Sequence, residues 1–248
     1  MLSIIIPTLN EEKSLPVLLE SIKKQRFAGC AGIEIIVADF NSKDKTVEIA
    51  RSYGCKIAEG GKPAEGRNNG AMLAKGSLLL FLDADAILPG DFLRNALGEF
   101  ERRRLDVAGF RLEPEGKKFF EVLLMNILYN WTLLLALEKI LPHASGQAIL
   151  VKKEKHQKVG GFDKEIRIGE DHMYVRSVDK IGRFGAIRST KVISSVRRYK
   201  EDGLIRTNLK YALAEVYMAL VREGVKKDFF QYKFRGFSIS VKTWIFKS

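Results

Sequence analysis

The chain opens on a short apolar run, Leu2 to Ile6, rich in β-branched residues, and its hydrophobic period then alternates. Ser14-Leu15-Pro16 supplies a capping serine and an early proline, so the amphipathic stretch that follows predicts a helix to about Gln25. Ile33 to Ala38 predicts a second strand. Ser42-Lys43-Asp44 then precedes a helix of about ten residues that should stop at Gly54, the residue type best suited to end a helix. Cys55 to Ala58 predicts a third strand and Ala64 to Ala74 a third helix. Leu78-Leu79-Leu80-Phe81-Leu82 is a continuous apolar run, as in a central parallel strand buried on both faces. The order βαβαβαβ predicts an α/β fold, a mostly parallel central sheet with helices on both faces. Ligands of such sheets bind beyond the carboxyl ends of the strands.

From about Lys117 the texture changes. A mostly apolar stretch, Val122 to Leu137, is followed by a strand near Ala148 to Val151, then Gly160-Gly161-Phe162-Asp163 and a helix from Asp171 to Ile181. Short strands near Phe184 and Val192 lead into a long amphipathic helix from about Asp202 to Arg222. With no internal repeat, Pro-rich linker or low-complexity tract, one domain over residues 1–248 is expected. Val122 to Leu137 has 16 residues, is interrupted by Asn126 and Asn130 and is flanked by Glu121 and Glu138. That falls short of the roughly 20 apolar residues a bilayer crossing needs, so the segment reads as a packed helix or one lying in a membrane interface. Asn130-Trp131-Thr132 matches a glycosylation sequon, a match of little weight within an apolar helix.

Composition narrows the class. Of 248 residues, 46% are hydrophobic and 29% charged, which excludes a disordered tail and a disulfide-stapled miniprotein. Cys30 and Cys55 form no disulfide framework, and the start lacks a basic segment before its apolar run, so a cytoplasmic protein with reduced thiols is expected. The formal net charge is +12, and the stretch from Arg176 to the end holds 17 Lys and Arg against 6 Asp and Glu, so +11 of it sits there. Such an excess suits a polyanionic partner: nucleic acid, an anionic membrane surface or a phosphorylated substrate.

The strongest chemical signal is Asp83-Ala84-Asp85, immediately after the apolar strand. Carboxylates beside a dry core are costly unless a cation or hydrogen-bond donors meet them. Mg²⁺ or Mn²⁺ takes oxygen ligands and completes its shell with water and phosphates, so one or two aspartates suffice. The plainer alternative is that Asp85 caps a helix near Pro89 and Asp83 is a loop acid. Asp39 ends the second strand in the same way, where a carboxylate commonly holds a nucleoside hydroxyl or base N–H. Ser42 and Asp44 read as helix-capping residues rather than ligands.

Together these stretches carry a resemblance. Ile4-Ile5-Ile6-Pro7-Thr8-Leu9-Asn10-Glu11-Glu12, Asp39 with Ser42, Asp44 and Thr46, Gly66-Arg67-Asn68-Asn69-Gly70, Leu82-Asp83-Ala84-Asp85, Gly160-Gly161-Phe162-Asp163 and Gly169-Glu170-Asp171 occur in the order of a family 2 glycosyltransferase of the GT-A fold. The resemblance covers roughly residues 1 to 200. It implies a nucleotide-sugar-binding half over 1–115, an acceptor-binding half over 116–200 and a basic helical extension over 201–248. It implies that Pro7, Thr8, Leu9 and Glu11 line the nucleotide pocket, that Asp39 contacts the base and that Arg67 lies near base or phosphate. Asp83, Ala84 and Asp85 would meet ribose and metal, with Asp85 the better direct ligand of Mn²⁺ or Mg²⁺; a UDP- or GDP-sugar is the expected donor. Asp171, with Glu170 as alternative, matches the family's base, which takes a proton from the acceptor hydroxyl during an inverting transfer. A first-turn pair offsetting a helix dipole is the other reading.

Gly146-Gln147 lies where related enzymes meet the acceptor. His143 and His172 are candidates for ligands or bases, although a lone histidine is more often a packed or surface residue. Arg197 and Arg198 suit bidentate phosphate contacts, to the donor diphosphate or an acceptor phosphate, or form a solvated loop. Phe40 stands where many members carry a second aspartate, which leaves base recognition to Asp39. No Gln-x-x-Arg-Trp follows Asp171, which argues against long-polymer synthesis. The expectation is a non-processive transferase acting on a sugar or lipid-linked hydroxyl acceptor, with peripheral contact at an anionic membrane. An acceptor that is itself a polyprenyl phosphate would need no base. A nucleotidyltransferase would want a basic Gly-rich loop where Leu9-Asn10-Glu11-Glu12 is acidic, and nucleic acid is not expected as a partner because no binding signature accompanies the basic residues.

Overall fold

The computed structural model describes residues 1–25, 32–116, 122, 123, 127, 129, 130, 138–140, 142–166 and 169–195. Its strands are β1 (Leu2–Thr8), β2 (Ile33–Asp39), β3 (Lys56–Glu59), β4 (Leu78–Leu82), β5 (Ala86–Ile87), β6 (Val107–Pro114), β7 (Ala148–Lys152) and β8 (Phe184–Ser194). The helices are α1 (Leu15–Lys23), α2 (Thr46–Ser52), α3 (Pro63–Leu73), α4 (Phe92–Arg102), α5 (Lys153–Lys158) and α6 (Glu170–Asp179). Among the described residues the strands form one sheet in the order β3-β2-β1-β4-β7-β6-β8-β5. β3, β2, β1 and β4 are parallel, β7 runs antiparallel between β4 and β6, and β6 and β8 are again parallel.

β1 shows why the opening run is apolar at every step. Leu2, Ile4 and Ile6 join a core with α1 and α4 side chains, while Ile5, pointing the other way, joins a second core with Phe81, Phe162, Tyr174 and Val175. A strand covered on both faces has no solvent side to alternate with. The expected mostly parallel α/β architecture is present. β5 follows Asp83-Ala84-Asp85 directly yet pairs with β8 at the far end of the strand order, so the sheet curls until its last strand returns beside the end of β4.

Three local expectations change. The short strands near Phe184 and Val192 are one strand, β8, whose pairing with β6 shifts register between Phe110 and Arg111. The helix near Pro89 begins at Phe92, with Asp91 and not Asp85 at its N-cap. β6 was not expected, because Gly109, Arg111 and Glu113 dilute its apolar pattern; pairing with β7 and β8 makes it a strand. β7 reaches only Gly109, and further along β6 the Asn130 amide accepts from the Leu112 N–H at 2.9 Å and donates to its carbonyl at 2.7 Å. Asn130 is 1% exposed, so its amide is inaccessible to glycosylation in this fold. The helix expected over residues 202–222, most of Val122 to Leu137, Arg197 and Arg198 lie outside the described residues.

Candidate active site

At the carboxyl end of β1 and β2 two loops are joined by side chains. Three successive backbone N–H groups, of Asn10, Glu11 and Glu12, donate to Ser42 Oγ at 2.8 Å, Thr46 Oγ1 at 2.8 Å and Asp44 Oδ2 at 3.1 Å. Asp44 also accepts from the Thr46 N–H at 3.0 Å, so Ser42, Asp44 and Thr46 serve the loops. Neither Ser42 nor Asp44 is the N-cap of α2 as expected; that position is Lys45, with no side-chain capping bond. Asp39 sits beneath them, accepting the Thr8 hydroxyl at 2.9 Å, the Ser42 hydroxyl at 2.5 Å and the Ser42 N–H at 2.9 Å. Thr8 and Glu11 are buried, and Pro7 and Leu9 are half-buried at the same strand end.

The second constellation forms around Arg67 on α3. Its side chain is 3% exposed, so it is not on a solvated helix face. Nη2 donates to Asp83 Oδ1 at 2.9 Å and Nη1 to Glu170 Oε1 at 2.9 Å, joining the turn after β4 to the start of α6. The guanidinium also lies over the Phe162 ring, 5.3 Å from its centroid. Burial alone would lower its pKa, but Asp83, Glu170 and Asp171 outweigh that and hold it above its ordinary value.

Asp171 Oδ2 accepts the Gly146 N–H at 2.6 Å, and Oδ1 accepts the His172 N–H at 2.9 Å. Its pKa is raised, because burial outweighs the opposing pull of Arg67 and these N–H donors. Glu170 is also raised, first by burial and then by the adjacent Asp171 charge, with Arg67 pulling the other way. A methyl group on residue 146 would come within 2.5 Å of the Arg67 guanidinium, so a side chain there would have to push the clamped arginine aside.

β7 pairs with β4 so that Leu82 faces Ala148, which puts Gln147 opposite Asp83; the Asp83 N–H donates to the Gln147 carbonyl at 3.3 Å. The Gln147 amide donates to Asp85 Oδ1 at 3.3 Å. Ala84 packs into the core between two half-buried aspartates. Asp83 and Asp85 offer the oxygen donors that Mg²⁺ or Mn²⁺ prefers, and a site shared with substrate phosphates needs no more protein ligands. Among the described residues no group of three or more His, Cys, Asp and Glu could hold a metal, so a protein-only cage is not part of this arrangement.

The histidines are packed. His143 and His172 stack with ring centroids 3.7 Å apart, and burial, then His172 and Arg176, pull the His143 pKa well below its usual value. His172 Nε2 lies 3.4 Å from Asp171 Oδ1. Sequence reasoning missed the support beneath Arg67. Asn68 donates to the Phe162 carbonyl and accepts the Phe162 N–H, both at 2.8 Å, and Phe162 stacks on Tyr174 at 3.8 Å. Gly161, at φ +80°, makes this close approach: a side chain there would be strained and would strike Asn68. Gly-Gly-Phe and Arg-Asn were visible as motifs, but their mutual contact was not. A separate cavity of about 760 Å³ is lined by Glu99, Arg103, Glu138 and Arg188 among others and includes none of these residues.

The sequence profile described as Glycosyl transferase family 2 matches residues 3–160, a span that holds Asp39, Arg67, Asp83 and Asp85 and ends before Glu170. Poly(ribitol-phosphate) β-N-acetylglucosaminyltransferase TarS of Staphylococcus aureus is 32% identical over 113 residues, 42% of this chain and 20% of TarS. An uncharacterized glycosyltransferase of Haemophilus influenzae is 29% identical over 197 residues, 71% of this chain and 60% of that protein. The chain thus spans a fifth to about three fifths of the length of these two relatives. Among solved structures, S. aureus TarS 1–349 in complex with UDP is similar at a TM-score of 0.65 and 21% identity, covering 79% of this chain and 60% of that one. Mannosyltransferase PcManGT from Pyrobaculum calidifontis, in complex with GDP-Man and Mn2+, gives 0.69 and 22%, covering 90% and 64%. Both share the curled, mostly parallel sheet.

Proposed function

The chain belongs to glycosyltransferase family 2, and from that premise we propose that it moves one sugar, with inversion, from a nucleoside diphosphate sugar to a hydroxyl acceptor. The observation that carries this reading is the meeting of two acidic sets around Arg67: Asp83 and Asp85 at the end of β4, Glu170 and Asp171 at the start of α6. Inverting displacement needs such a division, with charge management at the leaving group and a base on the opposite face of the sugar.

On the donor side, Pro7, Thr8, Leu9, Glu11 and Asp39 hold the nucleoside. Asp39 Oδ2 accepts one N–H in the structure and has acceptor capacity left for a base N–H. UDP and GDP sugars are the preferred candidates, since the TarS and PcManGT structures contain UDP and GDP-Man. Asp85, with Asp83, would hold Mn²⁺ or Mg²⁺, which when bound neutralises charge building on the departing diphosphate. Arg67 keeps Asp83 and Glu170 in place and brings a buried positive charge beside them. Arg197 and Arg198 are assigned to a phosphate of donor or acceptor.

Asp171 is the base and Glu170 its anchor. Glu170 is committed to Arg67, whereas Asp171 is aimed by the Gly146 N–H, and burial keeps it more basic than an exposed aspartate. As the acceptor oxygen attacks the anomeric carbon, its proton passes to Asp171. The absence of Gln-x-x-Arg-Trp after Asp171 favours single-sugar transfer. Leu123 and Ile127, four residues apart, are 41% and 51% exposed while Asn130 is turned inward. These two exposed apolar side chains, with the basic end of the chain, support a lipid-linked acceptor reached from the cytoplasmic face of an anionic membrane. Among the described residues no helix is long and apolar enough to cross a membrane.

A thermal-shift and calorimetric screen of UDP, GDP, CDP and dTDP sugars with Mn²⁺ tests the donor. One class should stabilise the chain, and Asp85→Ala should weaken its metal-dependent binding by about a hundredfold. Unchanged affinity in that variant would sink the metal assignment, and NMR of the product's anomeric configuration decides inversion.

A further inference from the structure

The dipeptide Gly146-Gln147 touches both acidic sets. Its first residue donates a backbone N–H to Asp171, and its second donates a side-chain N–H to Asp85. In an inverting displacement the transferred sugar lies between leaving group and base. If Asp85 marks the leaving-group side and Asp171 the base side, as proposed above, Gln147 stands at the sugar.

Its orientation is set by chemistry. A carboxylate only accepts, so the Gln147 NH₂ turns to Asp85 and its carbonyl oxygen turns away. That oxygen, Oε1, is buried and has no hydrogen-bond partner among the described residues. A buried acceptor without a donor is disfavoured relative to one that has found a donor, so it favours ligands that bring one. Phosphate oxygens bring none at neutral pH, whereas a sugar hydroxyl does.

We infer that Gln147 is a specificity-determining residue that accepts a hydrogen bond from a hydroxyl of the transferred sugar. The inference rests on the donor reading and adds a group that discriminates among sugars independently of the nucleotide. β-Sheet register supports it, since the β4–β7 pairing holds the Gln147 backbone opposite Asp83 and leaves the side chain little choice of direction.

The test compares each nucleotide sugar with its bare nucleotide. Calorimetry with Mn²⁺ is run for UDP against UDP-GlcNAc and for GDP against GDP-Man, on the wild-type chain and on Gln147→Met, which keeps volume and removes both amide atoms. Removing the amide also removes the hydrogen bond to Asp85, a loss common to both ligands, so the expected result is a loss for the sugar nucleotide about tenfold larger than for the bare nucleotide. Retained binding of the bare nucleotide also shows that the variant is folded. For the sugar that binds, a series of monodeoxy analogues on the wild-type chain should show one position with the same loss, and Gln147→Met should bind that analogue and its parent alike. Equal losses for nucleotide and sugar nucleotide would place the amide's effect on the diphosphate or metal and overturn the inference, as would no loss for either. Failure of wild type to bind any nucleotide with Mn²⁺ would remove the donor reading itself, and this inference with it.

Discussion

Carboxylates at the amino end of the sheet and those around Arg67 are treated in opposite ways. At the amino end, Glu34 accepts the Ser3 hydroxyl at 2.6 Å, the Lys75 and Gly76 N–H groups at 2.5 and 3.2 Å, and the Lys56 ammonium at 2.5 Å. Burial opposes its ionisation, but these donors prevail and hold its pKa down to about 2. Asp106, at the start of β6, is likewise lowered despite burial, by Lys152 and the Arg183 N–H. At the carboxyl end, Glu170 and Asp171 are raised, because burial, joined for Glu170 by the adjacent Asp171 charge, exceeds what Arg67 and a few N–H groups return. Carboxylates that hold the frame are given donors in excess, whereas Asp83, Glu170 and Asp171 share the charge of one arginine. The difference separates a strut from a group kept ready to take a proton.

Asp171→Asn tests this contrast most severely. With a hydroxyl acceptor, turnover should fall by about 10²- to 10⁴-fold while donor affinity by calorimetry is kept. Retained turnover would mean an acceptor already ionised, such as a polyprenyl phosphate, and Asp171 would then be a second strut. Arg67→Met should cost about 3 kcal/mol of stability, read by denaturant unfolding, because the buried arginine's partners Asp83 and Glu170, both partly buried, lose their shared counter-charge. Adding Glu170→Gln should recover part of that loss; no recovery would show that the arginine acts through packing on Phe162 instead.

The smallest effect is at the other end. Glu34→Gln should lose about 1 to 2 kcal/mol at neutral pH. The folded pKa lies below the unfolded one, so Glu34 stabilises the chain above pH 4.5 and loses that contribution as pH falls toward 2. Wild type and variant should therefore converge over that window in pH-dependent melting. Glu170 and Asp171 have the reverse sign: ionised, they disfavour the fold at neutral pH and release that penalty on acidification through their raised values.

Much of the carboxyl-end geometry was legible because it is local. Apolar runs located β1, β2 and β4, and acids directly after strands marked Asp39, Asp83 and Asp85 for the ligand-binding edge. The partners that give those acids different electrostatic states were not legible. Arg67 reaches Glu170 across more than a hundred positions, and Gln147 meets Asp85 only through the β4–β7 register. β6 is hidden in the sequence for the same reason, its strand character coming from neighbours rather than from its own pattern.

The strand order also constrains how the chain comes off the ribosome. β7 lies between β4 and β6 although it is made after both. When β6 emerges, the place beside β4 that the finished sheet gives to β7 must stay open, and closing β4 directly onto β6 would be a trap. Not until Lys152 has been synthesised can the central seam form, and the polypeptide must carry an incomplete sheet through that interval.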